Sequence, residues 1–103
     1  MPPAYRIEYA PDALADLEYH RGSGASRVRS QVRARLEREP NRDTINNGPM
    51  RSNVFGAARR LRIQPFRVYY DVKEDRRAVR ILAICKKERE TVYQRGEEVQ
   101  IDD

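Results

Sequence analysis

Alternation of apolar and polar residues dominates the second half of this chain and restricts its fold more than any other feature. Three successive stretches show it: Leu61 with Ile63, Phe66 to Val72, and Val79 to Cys85. A period of two residues places successive side chains on opposite faces of a β-strand. The joints at Gln64-Pro65 and Glu74 to Arg77 are short enough for hairpins. The pattern therefore predicts three consecutive antiparallel strands, and the last, which is apolar on both faces, should be central.

The first half of the chain combines one alternating stretch with two helical patterns. Residues Tyr5 to Tyr9 alternate and predict a first strand. A helix is expected from Pro11, with Ala10, Leu14 and Leu17 on one side, until the break at Gly22-Ser23-Gly24. From Ser26 onward, apolar residues recur every four positions, which predicts a second, amphipathic helix that ends before Pro40.

The order strand, helix, helix, strand, strand, strand predicts an α+β fold. A helical hairpin should pack on one face of an antiparallel-rich sheet, and the other face is left for function. The segment 41–53 is predicted to be loop. We expect residues 1–103 to form a single domain with an acidic tail at 96–103, and the pattern leaves open whether this tail forms a helix or is flexible.

Basic residues outnumber acidic residues by 21 to 16, and the excess is uneven along the chain. Positions 96–103 hold four acids and no base, so positions 1–95 alone carry 21 basic against 12 acidic residues, or +9. All but three of the basic residues are arginine, whose planar guanidinium pairs two-pronged with phosphate and stacks on bases. We therefore expect a polyanionic partner, with nucleic acid as the leading candidate.

Several kinds of catalytic site are disfavoured by the composition. The single histidine, His20, and the single cysteine, Cys85, form no cluster with metal-ligand spacing, so we expect no metal and no other cofactor. Cys85 is predicted to be a buried thiol, and His20 a helix-end residue. No apolar run approaches the ~20 residues that cross a bilayer, and the N-terminus lacks the layout of a secretion signal. The expected location is therefore the cytoplasm, without a membrane partner.

The hairpin predicted around Gln64-Pro65 brings basic side chains together. If this joint is the centre of the hairpin, Arg62 lies directly opposite Arg67 on one face. On the same face, Arg60 lies opposite Tyr69. Like charges that face each other across two strands destabilise a sheet by roughly a few tenths of a kcal/mol, so a phosphate between them would be a favourable ligand. Each arginine taken singly is more simply explained as an exposed, solvated side chain, whereas the cluster together with Lys86, Lys87, Arg89 and Tyr93 favours an anion site.

Three segments of this half of the chain form a recognisable set. They are Arg60-Leu61-Arg62, Phe66-Arg67-Val68-Tyr69-Tyr70, and Ala83-Ile84-Cys85-Lys86-Lys87-Glu88-Arg89-Glu90-Thr91-Val92-Tyr93. The set resembles the RelE branch of the RelE/ParE toxin superfamily. Its most specific part is the basic doublet Lys86-Lys87, which comes after a predicted strand and is followed by Val92-Tyr93. Residues Tyr5 to Leu17 are only weakly similar to the family's first strand and helix. The resemblance spans most of the chain and implies the fold predicted above.

The resemblance also implies roles for individual residues. Arg67 looks like the arginine that contacts the scissile phosphate, and Lys87 takes the place of a second catalytic arginine. Tyr93 matches the C-terminal tyrosine, and Arg60 stands where a catalytic lysine is common. Another lysine of the family pattern falls on Ala58, and nearby arginines would have to replace it. The further side chains expected to bind RNA or phosphate are Arg51, Arg59, Arg62, Lys86 and Arg89.

The activity implied by the resemblance is that of a toxin of a type II toxin–antitoxin system. Such a toxin is a metal-independent endoribonuclease that cuts mRNA on the ribosome, by attack of the RNA's own 2′-hydroxyl on the scissile phosphate. Its expected partners are a cognate antitoxin, the ribosome and mRNA. The alternatives are a ParE-like inhibitor of DNA gyrase, a nucleic-acid-binding module without chemistry, and a degenerate toxin that only sequesters an antitoxin. Lys87 and Tyr93 favour the nuclease.

Overall fold

Two helices pack on one face of a mixed β-sheet in the computed structural model, which describes residues 3–52 and 54–101. The elements in chain order are β1 (Arg6–Tyr9), α1 (Pro11–Tyr19), α2 (Ser23–Leu36), β2 (Asn47–Pro49), a 3₁₀ turn (Val54–Gly56), β3 (Arg59–Ile63), β4 (Phe66–Lys73), a second 3₁₀ turn (Glu74–Arg76), β5 (Ala78–Glu88), β6 (Thr91–Gln94) and β7 (Glu97–Val99). The α+β class and the helical hairpin are as the sequence predicts.

Strand β5 is the centre of the sheet. The strand order is β2-β3-β4-β5-β6-β7, with antiparallel neighbours throughout. One edge of β5 pairs with β4. The other edge pairs first with β1, in parallel along Ala78 to Ile81, and then with β6 along Lys86 to Glu88. Because both of its edges are occupied, β5 is central, which confirms the prediction from its apolar residues.

The main core lies between the helices and the sheet. Side chains from α2 and from β3, β4 and β5 are fully buried there: Val28, Val32, Leu36, Leu61, Val68, Tyr70, Ile81 and Ile84. Burying each large apolar side chain contributes about 1.5–3 kcal/mol to the free energy of folding. The stripe along α2 follows the predicted four-residue spacing, so this helix packs by the expected face.

Both helices differ in detail from the prediction. The buried face of α1 carries Ala13, Asp16 and Leu17, whereas Leu14 is 49% exposed. Helix α2 begins at Ser23 rather than Ser26, so Gly24 lies inside the helix. A Cβ atom at Gly24 would stand 3.1 Å from Phe66 Cζ, and the glycine therefore permits close packing of the helix on β4.

Two segments that the pattern does not predict to be strands form strands. Within the predicted loop 41–53, β2 pairs with β3 along Asn47 to Pro49. The conformation of the acidic tail was left open by the sequence, and Glu97–Val99 form β7, which pairs with β6 across a turn in which Gly96 has φ +81°. Asp102 and Asp103 lie outside the described residues. The two additions extend the sheet at both ends.

Candidate nucleic-acid interface

Four cations share the sheet face opposite the helices. Leu61 and Ile63 point into the main core, so Arg60 and Arg62, which alternate with them on β3, point the other way. The same alternation places Arg67 of β4 and Lys87 of β5 on this open face. We call these four residues the open-face cluster: Arg60, Arg62, Arg67 and Lys87. The strand register that creates it was predicted, since Arg62 pairs with Arg67 and Arg60 with Tyr69.

Arg62 and Arg67 are the two cations of this cluster that lie directly opposite each other. Directly opposed side chains have Cβ atoms about 5 Å apart, so the two guanidinium groups repel each other. Arg67 is only 4% exposed, and its Nη1 donates to the main-chain oxygen of Phe66 (3.1 Å) and to Gln64 Oε1 (3.4 Å). The Nε of Arg62 is buried and has no hydrogen-bond partner among the described residues. Such an arrangement suits a shared anion.

A second, smaller apolar cluster covers the rest of the open face. Its buried members are Ala57, Tyr69, Ala83, Cys85 and Val92, against which Met50, Phe55, Leu82 and Ile101 pack. The sequence pattern does not predict that this face is covered, because the covering residues Met50, Phe55, Ala57 and Ile101 come from a loop and from the segment after β7. The cations are therefore gathered near the β3–β4 turn and the end of β5, rather than spread over a bare sheet.

Lys86 and Tyr93 lie on the opposite side of the sheet. Lys86 pairs with Phe66 on β4 and with Tyr93 on β6, and Phe66 belongs to the main core. Val92, by contrast, pairs with Lys87 and packs on the open face. The register thus separates Tyr93 from Arg67 and Lys87, with which the resemblance had grouped it. The predicted site residues form two groups on two faces.

The single histidine of the chain, His20, lies near this second group. It caps the end of α1, as predicted, and its ring lies edge-on to Phe66 with the centroids 5.0 Å apart. Burial lowers the pKa of His20, and the positive charge of Lys86 lowers it further. The imidazole therefore favours its neutral form, on the face opposite the open-face cluster.

The other predicted phosphate ligands are dispersed. Arg59 points to the helix side, where it donates to Asp43 Oδ1 (2.8 Å) and to the hydroxyl of Tyr70 (3.1 Å). These bonds tie Arg59 into the fold, so it does not join the cluster. Arg89 is exposed at the β5–β6 turn with φ +58°, and Arg51 is exposed between β2 and the first 3₁₀ turn.

Metal and thiol groups add nothing to the candidate site. Within 3–52 and 54–101, no group of three or more histidine, cysteine or acidic side chains could hold a metal ion. Cys85 is buried, as predicted, and burial raises the pKa of its thiol to about 12. No helix in the same residues has the length and apolar character needed to span a membrane. The open-face cluster remains the strongest concentration of functional groups.

Comparison with known proteins agrees with the fold. The family model of the ParE toxin of type II toxin–antitoxin systems matches residues 7–91. The chain belongs to this family. The toxin is also similar in structure to a chain of the RelBE2 toxin–antitoxin complex from Mycobacterium tuberculosis, with a TM-score of 0.69 and 23% identity. That match covers 84% of the toxin and 100% of the other chain. No curated protein sequence matches the toxin. The resemblance to the RelE/ParE superfamily is thus confirmed.

Proposed function

We propose that the toxin is a metal-independent endoribonuclease that cuts mRNA on the ribosome. The observation that carries this proposal is the open-face cluster, in which Arg62 and Arg67 are directly opposed and one buried N–H of Arg62 is unused by the described residues. A phosphodiester placed there would relieve the repulsion between the two arginines. Two further cations, Arg60 and Lys87, lie on the same face.

The chemistry requires little more than alignment and positive charge. The 2′-oxygen of the RNA attacks the adjacent phosphorus, the bond from phosphorus to the 5′-oxygen breaks, and the 2′-hydroxyl proton leaves as the 5′-oxygen gains one. The products are a 2′,3′-cyclic phosphate and a 5′-hydroxyl. Negative charge accumulates on the phosphate oxygens in the transition state, and the guanidinium groups of Arg62 and Arg67 stabilise it.

The ribosome contributes the substrate geometry in this proposal. Tyr93 and Lys86 lie on the helix side, so we assign them to holding RNA, with Tyr93 stacking on a base, rather than to proton transfer. A site that works by alignment acts slowly on free RNA. The arginines of α2 would then contact ribosomal RNA in the cytoplasm, and a cognate antitoxin would block the toxin by covering it.

A translating bacterial extract provides the test. New 5′ ends are mapped on a reporter message after addition of the wild-type toxin, Arg62→Ala or Lys87→Ala. We expect cuts that require translation, and a 10²- to 10³-fold lower rate in each variant, roughly the cost of removing one donor to a developing oxyanion. Arg6→Ala is the matched control, because Arg6 lies on β1 with an exposed side chain that forms an ion pair with Glu8. Equal cutting by wild type and Arg62→Ala would refute the assigned site.

Inhibition of DNA gyrase is the second candidate function. The family match to ParE favours it, as does the separation of Tyr93 from the cluster. It predicts intact message in the extract and loss of supercoiling when the toxin is added to purified gyrase. Binding of RNA without new ends would instead indicate a toxin that has lost its chemistry.

A further inference from the structure

An aromatic side chain lies beside the open-face cluster. Phe55, in the 3₁₀ turn Val54–Gly56, places its ring centroid 5.3 Å from that of Tyr69, with the two planes 38° apart. Tyr69 in turn pairs directly with Arg60. The ring of Phe55 is therefore separated from the nearest cation of the cluster by a single aromatic residue.

A cavity of about 290 Å³ opens next to this ring. Its lining residues are Ala10, Pro11, Asp12, Phe55 and Leu82. Leu82 is the extra residue of a β-bulge, because Tyr69 pairs with Ala83 and Tyr70 with Ile81. Bulges often redirect a side chain next to a functional site. The cavity is close to the lower size limit of ligand sites, roughly 300 Å³, and has room for one planar group.

The backbone of Phe55 is in an unfavourable conformation. Its φ of +63° lies in the left-handed region, which bulky side chains rarely adopt. Such conformations persist only where the surrounding structure imposes them, and they concentrate at ligand sites. Here the conformation keeps Phe55 partly exposed along the cavity while it packs on Tyr69.

We propose that this cavity binds one unstacked RNA base, with Phe55 as the stacking platform, while the adjoining phosphate lies on the open-face cluster. The inference rests on the proposed function, since it names how the same site holds its substrate. Proteins hold single-stranded RNA by combining cations along the backbone with aromatic rings under the bases. Phe55 packs on the open face against Tyr69, beside Arg60 of the cluster, and the cavity that it lines extends from there to the start of α1.

Binding of short single-stranded RNA tests the inference. The oligonucleotides carry 2′-O-methyl groups so that they cannot be cut, and a second set of equal length lacks the bases. We expect Phe55→Leu, which keeps an apolar side chain on Tyr69, to weaken binding of the base-bearing RNA by about 5- to 100-fold. Phe55→Trp should retain affinity, and the abasic set should bind wild type and Phe55→Leu equally. Equal affinities for the base-bearing RNA would overturn the inference.

A fluorescent base provides a readout that needs only the wild-type toxin. With 2-aminopurine placed at successive positions, stacking on Phe55 should quench one position on binding. Quenching at no position would also overturn the inference. Arg62→Ala distinguishes failure of the base site from failure of the proposed function. If it weakens binding whereas Phe55→Leu does not, only the base site is wrong. If it has no effect, the proposed function fails as well. A cavity filled by an antitoxin side chain would show itself as weaker antitoxin binding by Phe55→Leu with unchanged RNA affinity.

Discussion

Burial controls the chemistry of the single thiol. Cys85 is fully buried in the apolar cluster of the open face, and burial, with a smaller contribution from the negative charge of Asp16, raises the pKa of the thiol to about 12. Because the thiolate is the reactive form, at pH 8 its fraction is on the order of 10³-fold below that of a free cysteine. We expect a thiol-reactive dye to leave the native toxin unlabelled and to label one site in 6 M guanidinium chloride. Labelling of the native toxin at the rate of a free cysteine would contradict the packing of the open face.

At the scale of elements, one buried carboxylate joins α1 to both β5 and the β6–β7 turn. Asp16 is fully buried, and its oxygens accept hydrogen bonds from the main-chain N–H of Ile84 (2.8 Å), from Gln94 Nε2 (3.1 Å) and from Arg95 Nη1 (2.5 Å). The Ile84 N–H lies in the gap between β1 and β6 along β5, where none of the described strands accepts it. Asp16 therefore completes the pairing of the central strand.

Removal of this carboxylate should be costly. We expect Asp16→Ala to lower the free energy of unfolding by about 3–5 kcal/mol, since it leaves the buried N–H of Ile84 without its acceptor and removes the shorter of the ion pairs that Arg95 forms with Asp12 and Asp16. Urea unfolding measures the change. Asp75→Ala removes an exposed acid of the second 3₁₀ turn and should shift the free energy of unfolding by less than about 0.5 kcal/mol. Similar values for the two variants would show that the Asp16 bonds contribute little.

Local patterns account for what could be predicted from the sequence. The period-two and four-residue repeats predict β3, β4, β5 and the packed stripe of α2, because burial of one face depends on neighbours within the same element. Strand β2 could not be predicted in this way, since Asn-Gly-Pro has low strand propensity and pairs only because β3 is beside it. Strand β7 likewise depends on β6.

In the candidate site, too, one feature follows from a local pattern and another depends on a turn that the sequence does not locate. The opposition of Arg62 and Arg67 follows from a turn at Gln64-Pro65 that the sequence locates. The face of Tyr93 depends on a second turn, at Arg89 and Glu90, which lacks a typical hairpin pair. With that turn in place Lys87 pairs with Val92, and a period of two then puts Tyr93 on the other face. Because the sequence does not locate this turn, the face on which Tyr93 lies could not be predicted.

At the scale of the whole molecule, the distribution of charge predicts how binding depends on salt. The open-face cluster offers four cations on one face, and each phosphate that a protein neutralises on single-stranded RNA contributes a slope of about −0.7 to the dependence of log K on log salt. If each of the four cations neutralises one phosphate, the expected slope is about −3. Arg62→Ala should make the slope shallower by about 0.7. Fluorescence anisotropy of a short RNA between 50 and 300 mM salt would measure both values.

Two arginines distant from the cluster make this measurement specific. Arg6, on β1, should not affect the slope, whereas Arg33, exposed on α2, reports on contacts made by the helices. If short RNA lies on the open face, Arg33→Ala keeps the wild-type slope, and only a ribosome-sized partner responds to it. If Arg33→Ala makes the slope shallower while Arg62→Ala does not, the phosphates lie on α2 and the open face is not the RNA site. The two variants remove the same charge from the same total, so a difference between them comes from where the charge lies and not from how much of it the toxin carries.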